Sequence, residues 1–273
     1  MARPFRQVDV FSPEPLLGNP VAVVHDADGM TDEQMAAFAR WTNLSETTFL
    51  LSPTDPAADY RVRIFTPGVE LPFAGHPTLG SAHAWLEANG SRKERIVQEC
   101  AAGLVTIRRE EGRLSFLAPP RIHFGAVEEG LMTEIAAALR IPRGDIIDAE
   151  WCDNGPGWVG IRLVSAEEVL ALEPDFVALP VPVGVVGTCR EGECAIEVRA
   201  FLPPSEGIAE DPVTGSLNAS LGQWLAGGLL PDEYVARQGT ALGRRGRVHV
   251  HRDGDEIWVG GATTTTIAGT VSL

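Results

Sequence analysis

Lysine is almost missing from this chain: Lys93 is the only one in 273 residues, and it sits in the polar run Ser91-Arg92-Lys93-Glu94-Arg95. Schiff-base catalysis needs a lysine whose ammonium is depressed by apolar surroundings, so pyridoxal and aldolase-type mechanisms have no candidate, and neither does a phosphate-binding P-loop. Cysteine is scarce too. Cys100, Cys152, Cys189 and Cys194 form no Cys-x-x-Cys pair, which argues for reduced thiols rather than a disulfide framework or a metal site. No stretch approaches the ~18 apolar residues of a membrane-spanning helix, and the opening Met1-Ala-Arg-Pro-Phe-Arg has no apolar signal region, so a cytoplasmic protein is expected. Basic charge is outnumbered, with 22 Lys and Arg against 37 Asp and Glu and a formal net charge of −15. Such a surface repels phosphate backbones and anionic lipids, and the Arg244, Arg245, Arg247 cluster is too short to reverse that. Neither nucleic acid nor membrane is expected as a partner.

What the chain does have is an internal echo. Arg63-Ile-Phe65-Thr-Pro67 is answered by Arg199-Ala-Phe201-Leu-Pro203, with Glu70 and Glu206 three residues after the respective prolines. A second shared pattern follows, His76-Pro77-Thr78-Leu79-Gly80-Ser81 and Asp211-Pro212-Val213-Thr214-Gly215-Ser216. Both recur at about half the chain length, which indicates two copies of one unit rather than a short-period solenoid. In each copy a strand (Tyr60 to Phe65; Ala195 to Phe201) runs through a Pro/Gly loop into a helix start. Leu79, Ala82, His83 and Leu86 mark the first helix, which stops at Asn89-Gly90; Leu217, Leu221 and Leu225 mark the second, which stops at Gly227-Gly228. An earlier helix opens on the capping box Thr31-x-x-Gln34, carries Met35, Phe38, Ala39 and Thr42 on one side and ends near Asn43. Short β patterns at 21–24, 104–108, 183–186, 248–251 and 257–259 fill the rest, giving an α+β fold. The Pro pair at Leu117-Ala118-Pro119-Pro120 places a lobe boundary there, with an N-terminal lobe at 1–118 and a C-terminal lobe at 119–273.

Two motifs are decoys. Gly155-Pro156-Gly157-Trp158-Val159-Gly160 satisfies the dinucleotide-binding pattern, but Ile161-Arg162-Leu163-Val164 reads as strand where that mechanism needs a helix, so the segment is expected to be a tight loop. His249-x-His251 alternates on one strand face without a third ligand at metal spacing, and no metal is expected. The stronger signal is the pair of helix starts. Unpaired N–H groups and the helix dipole there suit a small carboxylate without any lysine. His76 opposite Asp211 offers complementary acid–base groups at positions a pseudo-twofold would bring together, with Asp211 as an N-cap and Ser216 in the first turn. Glu46 lies between Leu44 and the apolar run Phe49-Leu50-Leu51, a place that admits two readings, a surface glutamate at a loop mouth or a carboxyl whose pKa desolvation raises toward the range in which it both gives and takes a proton.

These residues resemble a known family, the PhzF-like phenazine-biosynthesis proteins, which share the diaminopimelate-epimerase fold. The resemblance rests on Val8-Asp-Val-Phe11 with Gly18-Asn19-Pro20-Val-Ala-Val23, Leu44-Ser45-Glu46-Thr47, Pro72-Phe-Ala-Gly-His76-Pro-Thr78, Glu210-Asp-Pro-Val-Thr-Gly-Ser216, and Gln238-Gly239 with Gly243-Arg244. It implies two pseudo-symmetric lobes, each with strands wrapped around a central helix, and an active site between the lobes. It also implies that Glu46 shuttles a proton, that His76, Asp211 and Ser216 line the site with it, and that N–H groups near Gly75, His76, Gly215 and Ser216 hold a substrate carboxylate. Asn19 would line the same site. Epimerases of that fold use two opposed cysteines, whereas this chain carries His76 and Asp211 near those places.

The expected function is therefore a cofactor-free isomerase moving a proton, and a double bond, on a small carboxylated amino or hydroxy metabolite. A racemase or epimerase without catalytic cysteines and a non-enzymatic small-molecule-binding protein are the competing readings. The family resemblance suggests a homodimer.

Overall fold

The computed structural model describes residues 2–206 and 208–273, and the side chain of Glu206 lies outside the described residues. The chain forms two compact units, Met1–Leu117 with Gly260–Leu273, and Ala118–Val259. Among the described residues no helix is long and apolar enough to cross a membrane.

The first unit contains β1 (Ala2–Val10), β2 (Asn19–Val24), α1 (Asp32–Thr42), β3 (Thr47–Leu51), β4 (Tyr60–Phe65), β5 (Glu70–Leu71), α2 (Gly75–Ala88), β6 (Arg95–Cys100), β7 (Gly103–Glu110) and β8 (Arg113–Leu117). Its sheet runs β1-β2-β3-β4-β6-β7-β8, with β2 parallel to β3 and β4 parallel to β6 and the other neighbours antiparallel. α1 begins as its sequence requires: the Thr31 hydroxyl accepts from Gln34 N–H, the Gln34 side chain accepts from Thr31 N–H, and Asn43 closes the helix at φ 53°. Met35, Phe38 and Ala39 are its buried face, while Thr42 turns partly to solvent.

α2 is different because it is covered on nearly every side, packing on β1, β2, β3, β4, β6 and β8. A helix sheathed this way must carry small residues where strands approach. Gly80 shows why: a Cβ there would sit 2.3 Å from Val21 Cγ1.

The second unit contains β9 (His123–Ala126), α3 (Glu129–Leu139), β10 (Asp148–Asp153), β11 (Val159–Ser165), α4 (Ala166–Leu170), β12 (Val183–Thr188), β13 (Ile196–Phe201), β14 (Glu210–Asp211), α5 (Gly215–Leu225), β15 (Glu233–Gln238), β16 (Gly246–Asp253) and β17 (Glu256–Gly261), whose Val259 is the unit's last residue. β9 pairs with β10, β10 with β11, β11 in parallel with β12, β12 with β13, β13 in parallel with β15, and β15 with β16. β12 and β13 are buried almost throughout, as strands with parallel neighbours and both faces covered should be. α5 repeats the close approach of α2: a Cβ on Gly184 would meet Leu217 at 2.3 Å.

The final strand, β18 (Thr263–Ser272), corrects the lobe boundaries. It pairs antiparallel with β1 from Ala2↔Ser272 to Val10↔Thr263, so Gly260–Leu273 belong to the first unit and not to the C-terminal lobe drawn as 119–273. The pattern of the last strand could not reveal its partner, because pairing across the whole chain leaves no local trace.

Candidate active site

The structure revises how the two copies align. Phe65 pairs with Glu70 across β4 and β5, and Phe201 pairs with Glu210 across β13 and β14. The loop between those partners is longer in the second unit, so everything after it shifts. Glu70 therefore corresponds to Glu210 rather than to Glu206, and Arg63 and Arg199 each grip that glutamate with Nε and Nη2. The shift carries into the helices. α2 starts at Gly75 and α5 at Gly215, so the residue matching His76 is Ser216, while the residue matching Asp211 is Leu71. Asp211 is accordingly not an N-cap. It lies on β14, and the N-cap of α5 is Thr214.

In the first unit the candidate residues do meet. Gly75 and His76 are the first two residues of α2, Glu46 immediately precedes β3, and Asn19 opens β2. His76 Nε2 stands 3.4 Å from Glu46 Oε2, and Asn19 Nδ2 lies 3.5 Å from His76 Nδ1. Burial pushes His76 down to about 3, with a hydrogen bond to the Pro20 carbonyl pulling the other way. The Glu46 contact is therefore not an ion pair near neutral pH, because the imidazole is uncharged there.

The tautomer matters more. Donation by Asn19 to Nδ1 would put the ring hydrogen on Nε2, facing Glu46; donation from the ring to Pro20 through Nδ1 would leave Nε2 bare and require Glu46 to carry the hydrogen. Two lone pairs cannot share a 3.4 Å contact comfortably. The ring tautomer therefore decides which hydrogen can face this contact, the imidazole's own on Nε2 or one brought to Glu46.

The backbone around Asn19 is itself fixed by a buried acid. Asp9 Oδ2 accepts from Gly18 N–H at 3.0 Å, and a Cβ on Gly18 would lie 2.2 Å from the Val10 carbonyl oxygen. Only glycine fits ahead of Asn19.

In the second unit the head of α5 is built from residues that the sequence marked for other reasons. The 154–158 segment is a loop between β10 and β11, with Gly155 and Gly157 at positive φ and both N–H groups donating to Asp153 Oδ1. No helix follows it, which removes the dinucleotide reading. The loop instead serves α5: Asn154 Nδ2 donates to the Ser216 carbonyl at 2.9 Å, and Trp158 Nε1 donates to Ser216 Oγ at 3.1 Å. An indole N–H can only donate, so Ser216 Oγ accepts here and keeps its own hydrogen for another acceptor.

Gln238 and Gly239 complete the head. Gln238 is fully buried against Thr214 and Asn218, and Gly239, at φ 87°, passes so close to Pro212 that a Cβ would lie 2.6 Å from its carbonyl oxygen. Thr214 Oγ1 donates to Asp211 Oδ2 at 2.6 Å. Neither Ala74 nor Thr214 caps its own helix with a side chain, which leaves the first N–H groups of α2 and α5 without a cap from those positions.

Known proteins share this arrangement of sequence. Residues 8–270 match the PhzC-PhzF family, described as phenazine biosynthesis-like protein. The chain belongs to this family. As a PhzC-PhzF protein it is 37% identical to antisense-enhancing sequence 1 of Schizosaccharomyces pombe over 97% of each chain. It is 36% identical to the trans-2,3-dihydro-3-hydroxyanthranilate isomerase of Pseudomonas aeruginosa, covering 90% of this chain and 89% of that protein. The crystal structure of a PhzF-family phenazine biosynthesis protein from Enterococcus faecalis matches it with a TM-score of 0.84 at 26% identity, over 100% of both chains. The α+β architecture of two similar units is thus that of PhzF proteins, and membership places the chain among the isomerases and epimerases of this group.

Proposed function

We propose that the protein is a cofactor-independent isomerase that moves a proton, and with it a double bond, on a small carboxylated amino or hydroxy metabolite. The observation that carries this reading is the Glu46–His76 contact, a carboxyl only partly open to solvent against a buried, neutral imidazole at 3.4 Å. Such a pair can accept a proton from carbon and return it without stabilising a permanent charge. Glu46 is the shuttle in this scheme: its carboxylate removes a proton α or vinylogous to an electron sink and delivers it at the far end of the shifted π system. His76 orients Glu46 and relays the proton.

The second unit's groups are assigned to the substrate's polar atoms. Ser216 offers a hydroxyl hydrogen, because Trp158 occupies its acceptor side. Asp211 offers a carboxylate to an amino or hydroxyl donor. Backbone N–H groups at the start of a helix, Gly75 and His76 on α2 or Gly215 and Ser216 on α5, are assigned to the substrate carboxylate, which helix ends attract without any lysine. The name of the Pseudomonas relative supports an unsaturated amino and hydroxy acid as the substrate class.

The test is label uptake in deuterated water, followed by mass spectrometry, with trans-2,3-dihydro-3-hydroxyanthranilate and a panel of small unsaturated, amino and hydroxy acids. Wild type should incorporate deuterium and shift the double bond; Glu46→Gln should be slower by about 10²–10⁴-fold. Undiminished uptake in Glu46→Gln would remove the shuttle role. Uptake at the α position without double-bond movement would make the protein an epimerase instead.

A further inference from the structure

Gln238, the last residue of β15, has an amide whose orientation is fixed by partners of unambiguous polarity. The Thr214 N–H can only donate, so the amide atom 3.0 Å from it is Oε1. The Asp211 carbonyl can only accept, so the atom 3.1 Å from it is Nε2. Asn218 Nδ2 supplies the second bond to Oε1 at 2.9 Å, and the second hydrogen of Nε2 goes to Thr214 Oγ1 at 2.9 Å. All four hydrogen-bonding places on the amide are then used. The Thr214 hydroxyl, having accepted from Nε2, has one hydrogen left to give, and it gives it to Asp211 Oδ2 at 2.6 Å. That length suits a hydroxyl donating to an ionised carboxylate.

A second observation is independent of this chain of bonds. Thr214 sits at the N-cap of α5, where a threonine hydroxyl ordinarily accepts from a backbone N–H of the first turn, yet it makes no such bond. Its hydroxyl is turned to Asp211 instead. The first unit has neither part of this device, since Ala74 stands at the N-cap of α2 and Leu71 at the place of Asp211. The fold of a unit therefore does not need it.

We propose that Gln238 and Thr214 are positioning residues for Asp211: the one-way chain from the Gln238 amide through the Thr214 hydroxyl holds the carboxylate ionised and in a single rotamer, as the acceptor for an amino or hydroxyl group of the substrate. This rests on the isomerase reading only for what Asp211 faces; the chain of donors is tested apart from it. The charged neighbours on β13 and β14, Arg199 and Glu210, are closed on each other and are left unchanged by the variants used.

The experiment follows the Asp211 carboxyl carbon by NMR as a function of pH in wild type, Thr214→Val, Thr214→Ser and Gln238→Leu. Thr214→Val should move the Asp211 midpoint up by about one pH unit, because the donor to the charged form is lost while the shape is kept. Thr214→Ser should restore it, and Gln238→Leu should move it the same way although it leaves the Asp211 carboxyl untouched. A merely structural role for Thr214 would not separate valine from serine in this readout. Identical midpoints in folded wild type, Thr214→Val and Gln238→Leu would overturn the proposal. Should Thr214→Val not fold, Thr214→Ala takes its place with the same two outcomes, a raised midpoint supporting the chain and an unchanged one overturning it. Deuterium uptake by trans-2,3-dihydro-3-hydroxyanthranilate gives the functional arm, with KM expected to rise about tenfold in Thr214→Val and recover in Thr214→Ser. If that compound is not turned over by wild type, the isomerase reading loses support while the titration still decides the positioning role.

Discussion

The two arginine forks make the same hydrogen bonds in different surroundings. Arg63 grips Glu70 at 2.7 and 2.6 Å and sends its third nitrogen to Asp32 in the first turn of α1, with Glu70 and Asp32 open to water at 37% and 75% side-chain exposure. Arg199 grips Glu210 at 2.9 and 2.8 Å, but both side chains are only 7% exposed, and its third nitrogen goes to the Val169 and Leu172 carbonyls at the end of α4. One motif, copied, has become a solvated clamp in one unit and a buried ion pair capping a helix end in the other. Geometry alone does not set the energy of such a pair; the water around it does.

Breaking each fork should expose that difference, and this is the largest effect expected. Arg199→Met would leave Glu210 buried without its cation and two carbonyls without a donor, a loss of about 3–5 kcal/mol by urea unfolding. Arg63→Met should lose less than about 1 kcal/mol, and that loss should shrink further in high salt. Equal costs for the two variants would mean that the forks are energetically alike and that burial is not the deciding variable.

The helix heads give a second contrast, between a titrating residue and a hydroxyl at the same place. His76 is neutral when folded because burial pushes it down from 6.5 to about 3. Between those values the unfolded chain takes up a proton that the folded chain declines, so the stabilising contribution is complete above about pH 6.5 and is lost as pH falls toward 3. The slope should amount to at most a few kcal/mol across the window. His76→Gln should flatten that part of the stability–pH curve, while Ser216→Ala, at the matching position of α5, should leave it in place. His25 and His83 are also lowered by burial, but they are present in both variants and cancel in the comparison. An unchanged slope in His76→Gln would place the acid sensitivity elsewhere.

Much of this was written in the sequence where the signal is local. The Thr31-x-x-Gln34 box, the strand at Tyr60–Phe65 and the stop at Asn89 all follow from caps and period, and each is found where the pattern puts it. Glu46 and His76 were legible as chemistry-bearing residues and are brought together. The register between the copies was not legible, because a longer loop before Glu210 hides behind a chance match of Pro-x-x-Gly-Ser; the bidentate forks reveal it only once strand pairing is known. Trp158 and Asn154 were hidden for the opposite reason. The motif that holds Trp158 and follows Asn154 looked like a nucleotide loop, and rejecting that left no local signal that the loop supports Ser216 across a sequence gap. Gln238 stood in a family-like segment, but burial and four hydrogen bonds to three residues are what show its work. The return of β18 to β1 is likewise invisible until the pairing is seen.

The smallest effects concern caps, and they sharpen the contrast between helices that hold the fold and helices that face ligand. α1 has a complete capping box, so Thr31→Ala should cost about 1 kcal/mol in thermal or urea unfolding. α2 has Ala74 at its N-cap, in extended backbone at φ −152° and ψ 139°, where a serine could cap the first turn without strain. Ala74→Ser should therefore stabilise the ligand-free protein by about 0.5 kcal/mol. If the α2 N–H groups serve a substrate carboxylate, the new hydroxyl competes for them, and the same variant should raise KM for whichever acid the deuterium screen identifies. A stabilised protein with unchanged KM would separate the head of α2 from carboxylate binding, because the groups satisfied by the serine would then be ones the substrate never used.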